Sequence, residues 1–186
     1  MSAVFPALIG LAGVVVGWFI NHWLTGRREE QRRRLELQVK HLERQIEELY
    51  GPLAAALYEG KRTFVDLLET LRRDHVFDDE GEISEEDLKT WLFWVDTEFL
   101  PRNHEIKQLL RSKAHLIDSN EFPESHVAFL DHSNSWAVSH RRWKAQQVPY
   151  SWHSKIEWPN DFEEEVLATF HRLKKRHARL IGALSQ

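Results

Sequence analysis

From Ala3 to Thr25 the chain carries no charged side chain, and the run AVFPALIGLAGVVVGWFINHWLT is followed at once by Arg27, Arg28, Arg32, Arg33 and Arg34. At about 1.5 Å per helical residue the run is long enough to cross a hydrocarbon core of roughly 30 Å. Residues 3–25 are therefore expected to form a transmembrane anchor. A cleaved signal peptide competes for the same residues, but its usual features are missing: no Lys or Arg precedes the run, and no small-x-small cleavage pattern follows it. The apolar part also exceeds the usual h-region of about 7–15 residues. Because residues 1–26 lack Lys and Arg, the positive-inside rule puts the N-terminus outside and the bulk of the chain in the cytoplasm. Trp18 and Trp23 fall near the arginine-bearing end, at the depth of the headgroups that the five arginines are expected to grip.

Within the anchor Gly10, Gly13 and Gly17 share one helical face, and Gly13 with Gly17 has the GxxxG spacing that lets two helix backbones approach closely. This face is the expected helix–helix contact in the membrane. Residues 26–50 then read as an amphipathic stalk. Leu35, Val39, Leu42, Ile46 and Leu49 recur at alternating steps of four and three, the period of a coiled-coil seam. With β-branched residues at a and leucine at d, the assortment favours a parallel dimer. The repeat is short, however, and its backward extension meets Arg28 and Arg32. A helix laying the same stripe onto its own domain fits equally well.

Residues 51–186 are expected to fold as one cytoplasmic helical bundle, so the fold class is all-α: a transmembrane helix, a stalk and a bundle. Gly51 and Pro52 interrupt the stalk, and Pro52 starts a helix to about Arg73. The acidic stretch from Asp78 to Asp87 lacks the DxDxDG pattern of a calcium loop and reads as a solvated connection. Ser84 with Asp87 resembles a capping box and opens a helix that Pro101 ends or kinks. Further helices are expected from about Arg102 to Ile117, from Pro123 to about Gln147, and from Asn160 or Asp161 to the end. An aromatic loop, VPYSWHSKIEWP, separates the last two. No segment alternates with period two.

No catalytic, cofactor-binding or metal-binding residue can be assigned. The chain has no cysteine, which removes disulfides, thiolate metal sites and a cysteine nucleophile. Eleven histidines invite a metal, yet no HExxH or ExxH pair occurs. His153 with Glu157 and His75 with Asp79 have helical spacing but fall in expected loops. There is no GxSxG elbow and no phosphate-binding glycine loop. A net charge of −4 gives no general reason to expect nucleic acid as a partner. Trp136, Arg142, Trp143, Trp152 and Trp158 nevertheless mix aromatic and basic character. Such a set serves as a single-strand stacking platform, as the amphipathic rim of a helical core, or as a docking surface for a protein partner.

The stretch Leu49, Tyr50, Gly51, Pro52, Leu53 after a charged amphipathic helix resembles that of a group of uncharacterised bacterial single-pass membrane proteins with a helical cytoplasmic domain. His132, Trp136, Trp143 and the terminal WPNDFEEEV are similar in kind. The resemblance implies the architecture above and a bacterial inner (plasma) membrane, and it carries no activity. The expectation is a non-enzymatic, membrane-anchored scaffold or accessory subunit whose partners are membrane lipid and either another protein or further copies of itself. The alternatives are an oligomerising, channel-like membrane effector and a membrane-tethered enzyme or metal protein.

Overall fold

The structure is a computed structural model that describes residues 4–78, 81–149 and 151–185, with side chains from His22 onward except that of Leu24. The described residues contain helices and no strand. In chain order they are α1 (Val4–Gln45), α2 (Gly51–Leu71), α3 (Glu85–Trp94), α4 (Leu100–Ser112), α5 (Glu124–Gln146) and α6 (Asn160–Leu184), with a 3-10 turn at Ala114–Leu116. The chain divides into two compact units, residues 1–43 with 176–186 and residues 44–175. In the first, His177 Nε2 lies 3.3 Å from Glu43 Oε1.

Among the described residues no helix is long and apolar enough to cross a membrane. The side chains on which the expected anchor and its face of Gly10, Gly13 and Gly17 depend lie outside the described residues.

The expected breaks at Gly51–Pro52 and at Pro101 are widened turns. Ile46–Tyr50 and Val95–Phe99 are π-helical, closed by Gly51 N–H donating to the Ile46 carbonyl and by Leu100 N–H donating to that of Val95. A proline has no N–H to give and its ring crowds the carbonyl four residues back. For Pro52 and Pro101 those carbonyls belong to Glu48 and Thr97, both inside a π-turn. Widening the turn relieves the crowding without ending the helix. Gly51 is needed at the first of these: a Cβ there would stand 2.6 Å from the Ile46 carbonyl oxygen.

Other ends are as the sequence dictates. Ser84 caps α3 by accepting Asp87 N–H at 3.1 Å. α2 stops where Arg72 turns left-handed at φ 55° and Arg73 N–H reaches back to the Leu68 carbonyl, a Schellman-type close. The acidic connection closes on itself: Glu82 N–H donates to Asp78 Oδ1, and Gly81 takes the left-handed φ of 79° that the turn requires.

The stalk stripe is covered within a single chain. Leu49, Leu42 and Val39 are buried, with Leu35 and Ile46 half-buried. Leu42 is 2% exposed and Leu49 is fully buried.

Within residues 44–175 two aromatic groups form the interior. Phe129 stacks on Phe162 at 4.6 Å between ring centroids, with the His126 and Trp158 rings edge-on to this pair. Trp91 stacks on Trp136 at 5.9 Å, in a cluster with Leu67, Val76 and Val95. Polar ties hold the periphery. Lys113 Nζ meets Glu48 at 2.6 Å, and Gln45 donates to the Leu116 carbonyl. The buried Tyr50 hydroxyl accepts Asp118 N–H at 2.9 Å, and burial raises the tyrosine pKa. Asp96 is gripped by Lys144 and by the buried His140. Burial alone would raise the Asp96 pKa, but these two partners outweigh it and the net shift is downward.

Candidate functional site

A cavity of about 440 Å³ lies between the two aromatic groups. Its size is within the range of about 300–1,000 Å³ typical of small-molecule sites. α2 supplies one wall through Leu57, Gly60 and Phe64, spaced three and four residues apart so that they share a face. Trp91 and Phe99 form a second wall, with rings 5.5 Å apart. α4 contributes Arg102, Asn103 and Ile106, and α5 contributes His132 and Trp136. Trp158, Asn160 and Glu163 complete the lining, Glu163 lying 3.9 Å from Lys61 Nζ.

Five buried side-chain nitrogens among the described residues lack a hydrogen-bond partner, and four of them belong to residues lining this cavity: Arg102 Nη1, Asn103 Nδ2, His132 Nε2 and Trp136 Nε1. An orphaned buried polar group costs about 1–3 kcal/mol, so four at one place are an expensive feature for a fold to keep.

Three of the four residues are otherwise held in place. Arg102 is fixed through Nη2, which donates to Glu98 Oε2 at 3.0 Å and to Thr63 Oγ1 at 3.1 Å. Gly60 gives its stem room, since a Cβ there would stand 3.2 Å from Arg102 Cδ. His132 Nδ1 donates to the Ile156 carbonyl at 2.7 Å, which leaves the lone pair on Nε2 in the neutral ring. Burial lowers the His132 pKa against the opposing pull of the Ile156 and Glu157 carbonyls. Trp136 packs against both Trp91 and Phe99. The neighbouring Trp91 makes the contrast plain, because its Nε1 donates to the Trp152 carbonyl at 2.7 Å. One indole is a structural tie and the other has its donor unused.

The residues expected to form a partner surface are distributed differently. Trp136 is buried and Trp158 half-buried, and both line the cavity. Trp143 and Trp152 meet edge-to-face at 5.3 Å, and Arg142 is exposed. Of the five arginines after the expected anchor, all are exposed; Arg32 pairs with Glu36 and Arg34 with Glu30, while the Arg27 guanidinium stacks 3.8 Å over the exposed Trp23 ring. Among the described residues no group of three or more His, Asp or Glu side chains is placed to hold a metal. His115 faces Arg44 Nη2 at 3.2 Å, His140 faces Asp96, and His153 Nδ1 donates to the Ser154 carbonyl. Asp79, the possible partner of His75, lies outside the described residues.

Sequence reasoning missed Arg102 and Asn103, although a signal was present. Phe99, Asn103, Ile106 and Leu110 are spaced four, three and four residues apart, so an amide occupies an interior position of the stripe. His132 stands likewise between Phe129 and Trp136. The chain matches no protein-family model, no curated protein and no solved structure.

Proposed function

We propose that this protein is a non-enzymatic binding module tethered to a membrane: residues 3–25 span the bilayer, the arginines from Arg27 to Arg34 rest on the cytoplasmic leaflet, and the helical domain takes up a small molecule. The observation that carries the binding role is a cavity with aromatic walls, four of whose lining residues keep a buried nitrogen without a partner. A fold with no use for such groups gains stability by replacing them with apolar side chains. The tether is supported by the uncharged run and by the exposed arginines that follow it, with Arg27 stacked on Trp23 as expected at a headgroup layer. A domain held in this way also suits an accessory subunit of a membrane assembly, reporting ligand occupancy to a neighbour.

Two measurements test the reading. Alkaline carbonate washing of membranes is expected to leave the chain in the pellet, and protease added outside intact cells is expected to spare the C-terminal region. Release into the supernatant or digestion from outside overturns the tether. Protein purified in mild detergent is expected to show a raised unfolding temperature with some members of a panel of small aromatic compounds; a flat response across acids, amides and alcohols overturns the binding role.

A further inference from the structure

We infer that the cavity takes an uncharged, flat aromatic molecule of a few fused rings and holds it by contact with carbon, with no seat for a charged group. This deepens the binding role proposed above and rests on it. The first argument is what the walls offer. Five of the lining rings have every polar atom spent or shut away. The indole nitrogen of Trp91 donates to the Trp152 carbonyl at 2.7 Å, and that of Trp136 is closed off from solvent. His132 commits Nδ1 to the Ile156 carbonyl, and its Nε2 is closed off in the same way. The side chains of Phe64 and Phe99 have no polar atom. What these five rings present to an occupant is therefore carbon.

The second argument concerns charge. The charged residues of the lining are Lys61, Arg102 and Glu163. Arg102 Nη2 donates to Glu98 Oε2 at 3.0 Å and to Thr63 Oγ1 at 3.1 Å, while its Nη1 is shut away. Lys61 Nζ lies 3.9 Å from Glu163 Oε1. Each cation thus has its own carboxylate, and the neighbourhood is neutral as it stands. An ionic ligand would give up its hydration here without meeting an uncommitted countercharge.

The third argument is size and surroundings. The cavity of about 440 Å³ is roughly three times the space of about 150 Å³ that admits one benzene, which leaves room for two or three fused rings. Phe64 comes from α2, Trp91 from α3, and His132 and Trp136 from α5, so rings reach the site from several elements. Stacked and edge-on contacts with them favour an aromatic occupant over an alkyl chain of equal volume. All these residues lie within residues 44–175, so the site is complete in one compact unit.

The test is equilibrium dialysis of the full chain in mild detergent against the same micelles without protein, which cancels partition into detergent. The probes are naphthalene, anthracene, 2-naphthoate and 2-naphthylmethylammonium, the last two being an anion and a cation of one size at neutral pH. Naphthalene or anthracene is expected to bind in excess over the micelles, about tenfold tighter or more than either ion. Ala56→Leu, which adds bulk to the lining from α2, is expected to weaken that binding about fivefold or more, with circular dichroism confirming the helical fold. Phe64→Ala removes a ring from a residue 43% exposed, where truncation spares the core, and is expected to weaken it as well. An ion that binds as tightly as the hydrocarbons overturns the assignment to an uncharged ligand and leaves the cavity's binding role standing. Hydrocarbon binding that is unchanged in both variants overturns the seating in this cavity. Failure of both hydrocarbons to bind overturns the assignment, and a flat thermal response to acids, amides and alcohols as well overturns the role with it.

Discussion

Replacing Asn103 by leucine sets the unliganded fold against its binding task. Asn103 is 6% exposed, sits inside α4, and its Nδ2 has no partner. Removing an orphaned amide returns about 1–3 kcal/mol, and leucine exceeds asparagine as a helix former by a few tenths. The adjoining cavity of about 440 Å³ accepts the extra volume, so the overpacking penalty of a filled core does not apply. The net expectation is a gain of about 1–3 kcal/mol. A chain of this length shifts its unfolding midpoint by about 2–4 °C per kcal/mol, which puts the rise near 2–12 °C. Circular dichroism at 222 nm during heating measures it in the full chain, and a urea titration with an unchanged slope shows that the unfolded state has not moved. A fall in midpoint of more than about 2 °C would refute the reasoning, because it would mean that the amide is satisfied in the free protein and that the polar wall belongs to ordinary packing.

Gly51→Ala is expected to lower stability by about 1–2 kcal/mol despite alanine's helical preference, since its Cβ meets the Ile46 carbonyl oxygen at 2.6 Å; urea unfolding at equal stability to wild type would dismiss the π-turn argument. Ser84→Ala removes the cap of α3 and is expected to cost about 1 kcal/mol. Hydrogen exchange at Asp87 should rise with it, and an unchanged rate would show that the hydroxyl is idle. Burial holds the pKa values of His126 and His132 below the ordinary 6.5, with Glu165 opposing it at His126. The unfolded chain therefore takes up protons that these rings refuse, so stability is complete above about pH 6.5 and is lost as pH falls through the folded values. The urea midpoint should drop between pH 7.5 and 5.5, a window above the carboxylate range, and should drop less in His126→Phe. A midpoint that holds or rises would contradict this.

Local chemistry was legible in the sequence, and convergence between helices was not. Ser84 with Asp87, the start of α6 at Asn160 and the polar closure after Asp78 all depend on neighbours within a few residues, and each is found as spacing and capping rules dictate. The prolines misled because the relief of their strain lies upstream of them. Nothing in the residue types at Val95–Phe99 announces a widened turn. The stalk's heptads were ambiguous for a different reason, since the period is the same whichever surface covers Leu42 and Leu49. The cavity draws on five helices and a loop, and the partnerless nitrogens of its lining residues became visible only once the atoms around each were placed. In one dimension Arg102, Asn103 and His132 look like polar residues on amphipathic helices. Their place on the interior side of the stripe is the trace that the sequence retained.

The two widened turns have a consequence for how this chain tolerates change in length. Each holds one residue more than regular winding needs, and by widening it absorbs the rotation of about 100° that an extra residue would impose on a regular helix. Deleting a single residue between Ile46 and Tyr50 would restore ordinary winding and leave Leu53, Ala54 and Leu57 facing the interior, whereas the same deletion within the regular winding of α2 would turn the residues after it away. These turns are the places where the chain can lose one residue without reorienting a helix, and a change of length anywhere in the regular winding has no such relief.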